Sequence, residues 1–231
     1  MQGQELPYIL QNDAIITIVL FMCFFLMSWA IKNGKTYLIN HLKNFFIHKE
    51  RGSLFDKSIS SGNQFMSFFG IVTCILSGIY IYYYEVSHNA SLPTHIHHAL
   101  LLFAYIISVI ALISLKGLMY NFVNWIFFDR QRNITWMEAY FDLIFLMSFA
   151  LFPVILLIVF SGLSDYISEI IMLSLLVISK IMLFYKCIRN FCEHYYGVFH
   201  IILYFCALEI LPDLLMVKWV DLLNYYLTIN F

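Results

Sequence analysis

Residues Ala139–Phe160 read AYFDLIFLMSFALFPVILLIVF, with one acid, Asp142, near the start and one proline, Pro153, past the middle. As a helix rising 1.5 Å per residue, a run of this length crosses a hydrocarbon core of about 30 Å. The period-two alternation that a membrane barrel strand requires is absent. In lipid every backbone N–H and C=O must be satisfied within the chain, so the run reads as a helix.

Five similar runs lie on either side of it: Ala14–Ile31, Phe65–Tyr84, His98–Leu115, Tyr166–Tyr185 and Gly197–Val217. The expected fold is therefore an all-α polytopic transmembrane helix bundle of about six spans, a single integral membrane domain over residues 1–231. The composition agrees. Of 231 residues, 62% are hydrophobic, 13 are Lys or Arg and 14 are Asp or Glu, and the mean hydropathy is +0.82. A soluble domain carries roughly 25% charged residues, and the connections here leave no room for one. A net charge of −1 gives no reason to propose a nucleic-acid partner, which needs clustered basic charge. Of the five cysteines, Cys23, Cys74 and Cys206 lie inside apolar runs, which does not suit a disulfide framework.

The basic residues are sorted by connection. Lys32, Lys35, Lys43, Lys49, Arg51 and Lys57 follow the first run, Lys116, Arg130 and Arg132 the third, and Lys186 and Arg189 the fifth. The positive-inside rule then places these three connections in the cytoplasm and both termini on the periplasmic side. Glu5 and Asp13 precede the first run and lysines follow it, the reverse of a signal peptide, so it reads as a retained span. Asp13 is positioned to cap the first helix, Pro93 and Thr94 to open the third, and Thr135 with Glu138 to form a capping box before the fourth. Within Tyr37–His48, Leu38, Leu42, Phe45 and Phe46 recur at helical spacing opposite Asn40, His41, Lys43, Asn44 and His48. This predicts an interfacial amphipathic helix meeting membrane lipids or docking on another membrane protein. The Ser- and Gly-rich Gly52–Gly62 follows as a linker.

Polar and conformationally special residues inside the runs are the functional candidates. Gly70, Cys74 and Gly78 at i, i+4 and i+8 form a small-residue face for a neighbouring helix. Pro153 and Pro212 each remove an N–H and crowd the carbonyl four residues earlier, so both helices are expected to kink and could frame a cavity. Glu209 lies deep in the last run, where an acid costs several kcal/mol or more unless it has a partner, and burial favours its neutral form. On a regular helix, Ile202, Cys206, Glu209, Pro212 and Asp213 share one side and His200 points away. Glu209 reads either as a proton or cation site or as a tie between helices. Lys180 and Glu169 return to nearly the same helical face. Lys180 is placed to snorkel toward the cytoplasmic end or to pair with Asp142.

His95, His97 and His98 stand together at the outer start of the third run, with His88 before them. Three imidazoles in four residues could ligate haem or a divalent metal, which a Soret band or bound metal would reveal, although no second donor cluster completes a coordination sphere. No H-E-x-x-H, G-x-S-x-G, Gly-rich phosphate loop or C-x-x-C occurs. The reading leans away from an enzyme and assumes no cofactor.

Two phrases, KGLMYNFVNWIFFD (Lys116–Asp129) and YFCALEILP (Tyr204–Pro212), resemble the bacterial domain-of-unknown-function 4271 family. The resemblance spans roughly residues 14–218. It implies a bacterial inner-membrane protein, brings no established activity, and directs attention to Lys116, Asn124, Glu209 and Pro212. Asp213 is polar where the family phrase leads one to expect an apolar residue. The function expected is that of a non-enzymatic accessory or assembly factor of an envelope system. The alternatives are a proton-linked permease using Glu209 and a haem- or metal-handling protein.

Overall fold

The computed structural model describes residues 13–46, 59–88, 98–191 and 198–230. All regular structure among them is helical: α1 (Ala14–Phe46), α2 (Ile59–His88), α3 (His98–Phe127), α4 (Arg130–Phe160), α5 (Asp165–Phe191), α6 (Val198–Phe205), a π turn (Cys206–Ile210) and α7 (Leu211–Asn230). Helices α1 to α5 are each long and apolar enough to cross a membrane. The sixth expected span is the continuous run of α6, π turn and α7.

The bundle carries its apolar side chains on the outside as well as within. Phe21, Met22, Phe25, Ile107, Leu118, Leu173, Ile181 and Leu214 are all exposed, as suits helices solvated by lipid rather than water. What is buried follows the helical period. On α1, Ile16, Leu20, Cys23, Met27 and Ala30 are buried, a spacing alternating between three and four that forms one seam. Helix α2 is central and packs on α1, α3 and α4. Its Phe69 meets Phe145 of α4 edge to face at 4.7 Å, and Thr73 Oγ1 donates toward Ile144 O of α4 at 3.0 Å.

Gly78 is where α2 comes closest to α3. A Cβ there would stand 2.5 Å from Ile106 Cγ1 and 3.0 Å from Ile106 Cα, so a larger side chain would force backbones apart. Gly70 has open space around its Cα. The small-residue face is thus a close contact at Gly78 and not along its whole length. Cys23, Cys74 and Cys187 are buried free thiols and Cys206 is an exposed one.

Several boundaries differ from those expected. Helix α1 runs unbroken through Phe46, so residues 37–46 continue the helix of the first span beyond its apolar stretch, which ends at Lys35, and are not a separate helix. No proline interrupts it, and Gly34 alone does not end a helix. The side chains of residues 40–46, with His48 and most of the linker, lie outside the described residues. Asp13 caps α1 as expected: its Oδ1 accepts Ile15 N–H at 2.9 Å and its carbonyl accepts Thr17 N–H at 3.2 Å. Helix α4 starts at Arg130 after Asp129, more than a turn before the proposed capping box. Thr135 is inside the helix and its hydroxyl bonds Gln131 O at 3.1 Å.

A buried four-charge ring as candidate functional site

Helix α3 extends twelve residues past its expected end, and this places Lys116 inside the bundle. Lys116 is 4% exposed, so it does not belong to a basic cytoplasmic connection. Lys116, Tyr120 and Asn124 follow at i, i+4 and i+8, one above another on a single face. All three are buried.

Opposite them the last helical run changes geometry. Pro212 has no N–H to give to Leu208 O and its ring crowds that carbonyl. The turn just before it, Cys206–Ile210, is widened to a π turn, with the Leu211 N–H bonded to Cys206 O. The wider turn rephases the helix. Ile201, Phe205, Leu208 and Glu209 are buried, whereas Ile202 and Cys206 are exposed, which corrects the face expected of a regular helix. Glu209 is 1% exposed.

Glu209 Oε2 accepts Lys116 Nζ at 2.7 Å and also accepts Lys180 Nζ, and Glu209 Oε1 accepts Tyr120 Oη at 2.7 Å. Both lysines also reach Asp213: Lys116 Nζ lies 2.6 Å from Oδ1 and Lys180 Nζ 2.6 Å from Oδ2. Lys116, Glu209, Lys180 and Asp213 therefore alternate in sign around a closed ring in which each charge touches two opposite charges. An ammonium donates and cannot accept, so both Glu209 oxygens serve these partners as acceptors. Lys116, Lys180 and Glu209 each stand eleven residues from the same end of their helical runs, roughly 16 Å inside it. The three helical runs therefore bring these charges to one level of the bundle.

The anticipated Lys180 partner is thus replaced. Lys180 turns to Glu209 and Asp213 instead of snorkelling or meeting Asp142, because two carboxylates inside the bundle satisfy it better than one on α4. Asp142 acts on Lys186. Glu169, at the far end of α5, lies 3.2 Å from His88 Nε2. Pro153 is exposed within an unbroken α4 while Pro212 is buried, so the two prolines do not frame a common cavity. Asp213 is polar because it is the fourth corner of the ring.

The ring is one contact in a polar seam between α3 and the last helical run. Toward the basic end, Asn124 Oδ1 accepts Tyr204 Oη at 2.7 Å and Asn124 Nδ2 donates to Asn133 Oδ1 at 3.3 Å. Asn133 in turn donates to Asn121 Oδ1 at 2.7 Å. Toward the other end, Trp219 Nε1 donates to Ser108 Oγ at 3.2 Å and Tyr105 Oη to Asn224 Oδ1 at 2.6 Å. Asn224 Nδ2 completes the line by donating to the buried Glu85 Oε2 at 2.8 Å. Partners ascend one helix as they descend the other, the register of an antiparallel pair. Tyr120, Glu85 and Asn224 escaped sequence reasoning. Tyr120 was detectable as the middle member of a Lys, Tyr, Asn stripe at four-residue spacing.

His95 and His97 lie outside the described residues. His98 Nδ1 is 2.8 Å from Tyr82 Oη. Among the described residues no group of three or more His, Cys, Asp or Glu side chains is placed to hold a metal.

No curated protein and no solved structure matches the chain. A family profile described as Domain of unknown function (DUF4271) matches residues 16–220, which include the whole ring and nearly all of the seam. The chain belongs to the DUF4271 family.

Proposed function

We propose that the protein is a non-enzymatic accessory or assembly subunit of a bacterial envelope system, held in the inner membrane with both termini periplasmic. Its ring of charges would be a clamp that also presents a docking edge. The observation that carries this reading is the asymmetry of the ring. The side chains of Lys116 and Glu209 are 5% and 1% exposed, whereas those of Lys180 and Asp213 are 30% and 37% exposed. The open side is bordered along α5, the π turn and α7 by exposed Val177, Ile181, Ile210 and Leu214. Charged groups at membrane depth face a protein neighbour or water rather than lipid. A partner's membrane helix bearing a hydrogen-bonding side chain would cover this edge, with the basic connections as a second contact.

Purification in mild detergent tests the reading. The wild-type chain is expected to bring a specific membrane protein with it. Replacing the exposed pair together, Lys180→Met with Asp213→Leu, keeps the Lys116–Glu209 pair and the charge balance. It should reduce the partner's yield at least about tenfold, a loss on the order of 1.4 kcal/mol of contact. A wild-type chain that purifies alone, or a double variant that retains its partner, defeats the proposal.

A proton-linked permease is the second reading, favoured by the π turn that carries Glu209. Such turns recur at functional sites, and the Tyr204, Asn124, Asn133 line leads from its neighbourhood to the α3–α4 connection. Glu209→Gln preserves size and one acceptor, so a permease should lose nearly all proton-coupled flux in proteoliposomes. Unchanged flux removes Glu209 from any transport mechanism.

A further inference from the structure

A second polar site lies at the basic end of the bundle, away from the ring. The first turns of α4 and the end of α5 leave a small open recess of about 40 Å³, lined by Thr135, Ala139, Lys186, Arg189 and Asn190. Its walls are held together, since Asn190 Nδ2 on α5 donates to Arg132 O on α4 at 3.3 Å. Ala139 contributes little bulk where α4 faces the opening. Thr135 already uses its hydroxyl proton on Gln131 O and contributes the edge of the recess.

The chemistry of the lining is that of an oxyanion site. Arg189 has five N–H donors in a planar fork, and one reaches Tyr185 Oη at 3.3 Å. Lys186 is half-buried and interacts electrostatically with both Arg189 and Asp142. Asp142 offsets part of the positive charge, so the lining suits a single negative charge better than a highly charged anion. A guanidinium fork beside an ammonium matches the two free oxygens of a phosphodiester. The recess lies between two helices long and apolar enough to cross a membrane, toward the end where α4 begins with Arg130 and Arg132 and α5 ends with Lys186 and Arg189. Such clusters of basic side chains beside a span attract anionic headgroups.

We infer that the α4–α5 recess is a phosphate-binding site for a singly charged phosphodiester, the headgroup phosphate of an anionic lipid. Lys186 and Arg189 hold the phosphate oxygens, and Ala139 keeps the space open. The inference is independent of the accessory reading, since it concerns a different pair of helices and a different ligand.

The test is native mass spectrometry of the full chain released from nanodiscs of phosphatidylcholine containing phosphatidylglycerol. Wild type is expected to retain phosphatidylglycerol. Lys186→Gln with Arg189→Gln should lower retention about tenfold or more, in line with two cations near an anionic surface. A charge-matched control outside the recess, Lys32→Gln with Arg130→Gln, should retain lipid like wild type. Ala139→Leu fills the recess without changing charge and should also lose the lipid, which keeps the test decisive if the glutamine pair does not fold. Excess inorganic phosphate separates the sources. If it displaces the lipid, the site takes free phosphate as well; if it does not, the lipid phosphodiester is the ligand, and either result supports phosphate recognition. Equal retention in wild type and Ala139→Leu, or an equal loss in the Lys32 and Arg130 control, overturns the inference.

Discussion

Replacing Glu209 with Leu is expected to destabilise the bundle by about 3–5 kcal/mol, the loss that follows when one partner of a buried ion pair is removed and the other stays charged. Three donors lose Glu209 as an acceptor together: Lys116, Lys180 and Tyr120. Asp213 then faces two ammonium groups alone, and its partial exposure limits how much it compensates. The clamp reading makes a sharper statement about the double variant. Lys116→Met with Glu209→Leu removes one cation and one anion and leaves Lys180 paired with Asp213. A buried pair replaced by apolar groups of similar volume is often nearly neutral, so the double variant should recover most of the loss. Thermal unfolding in detergent reads both. A double variant no more stable than Glu209→Leu would show that the ring does not act as a balanced set of charges.

Asn224→Leu is expected to cost about 1.5–3 kcal/mol, the range for losing a hydrogen bond to a charged group. Interhelical hydrogen bonds between neutral groups in membrane proteins average only about 0.6 kcal/mol. The carboxylate decides which figure applies. Asn224 joins Tyr105 on α3 to Glu85 on α2 and α7 to both, so its removal loosens three helices. Tyr225→Leu, at the exposed neighbouring position, should change stability by less than about 0.5 kcal/mol. An Asn224→Leu loss no larger than that of Tyr225→Leu would show that the Glu85 contact contributes no stabilisation.

The helical runs were legible because hydropathy and length are properties of the chain itself. Their ends were less so. Lys116 looked like the start of a connection because a charge after an apolar run usually marks the interface, yet α3 continues to Phe127. That extension is tolerated because two acids on another helix meet the ammonium. Lys180 was misplaced for the same reason: a lysine side chain reaches several directions, and local spacing cannot say which carboxylate lies across the bundle. A regular 100° step puts Ile202 and Cys206 on the face of Glu209, whereas the π turn before Pro212 leaves them exposed. The proline was visible; the π turn is one of several ways a helix accommodates it.

Composition and periodicity determined the all-helical membrane bundle, the clustering of basic residues beside alternate spans, and Glu209 as a charge needing a partner. These follow from the cost of unpaired backbone and unpaired charge in lipid, which depends on what each segment contains. Only the tertiary structure decided who the partners are. Lys116, Lys180, Glu209 and Asp213 come from three separate helical stretches, and their ring depends on the antiparallel register of α3 with the last run and on the rephasing at the π turn. Both are set by packing between segments distant in sequence, which no local pattern encodes.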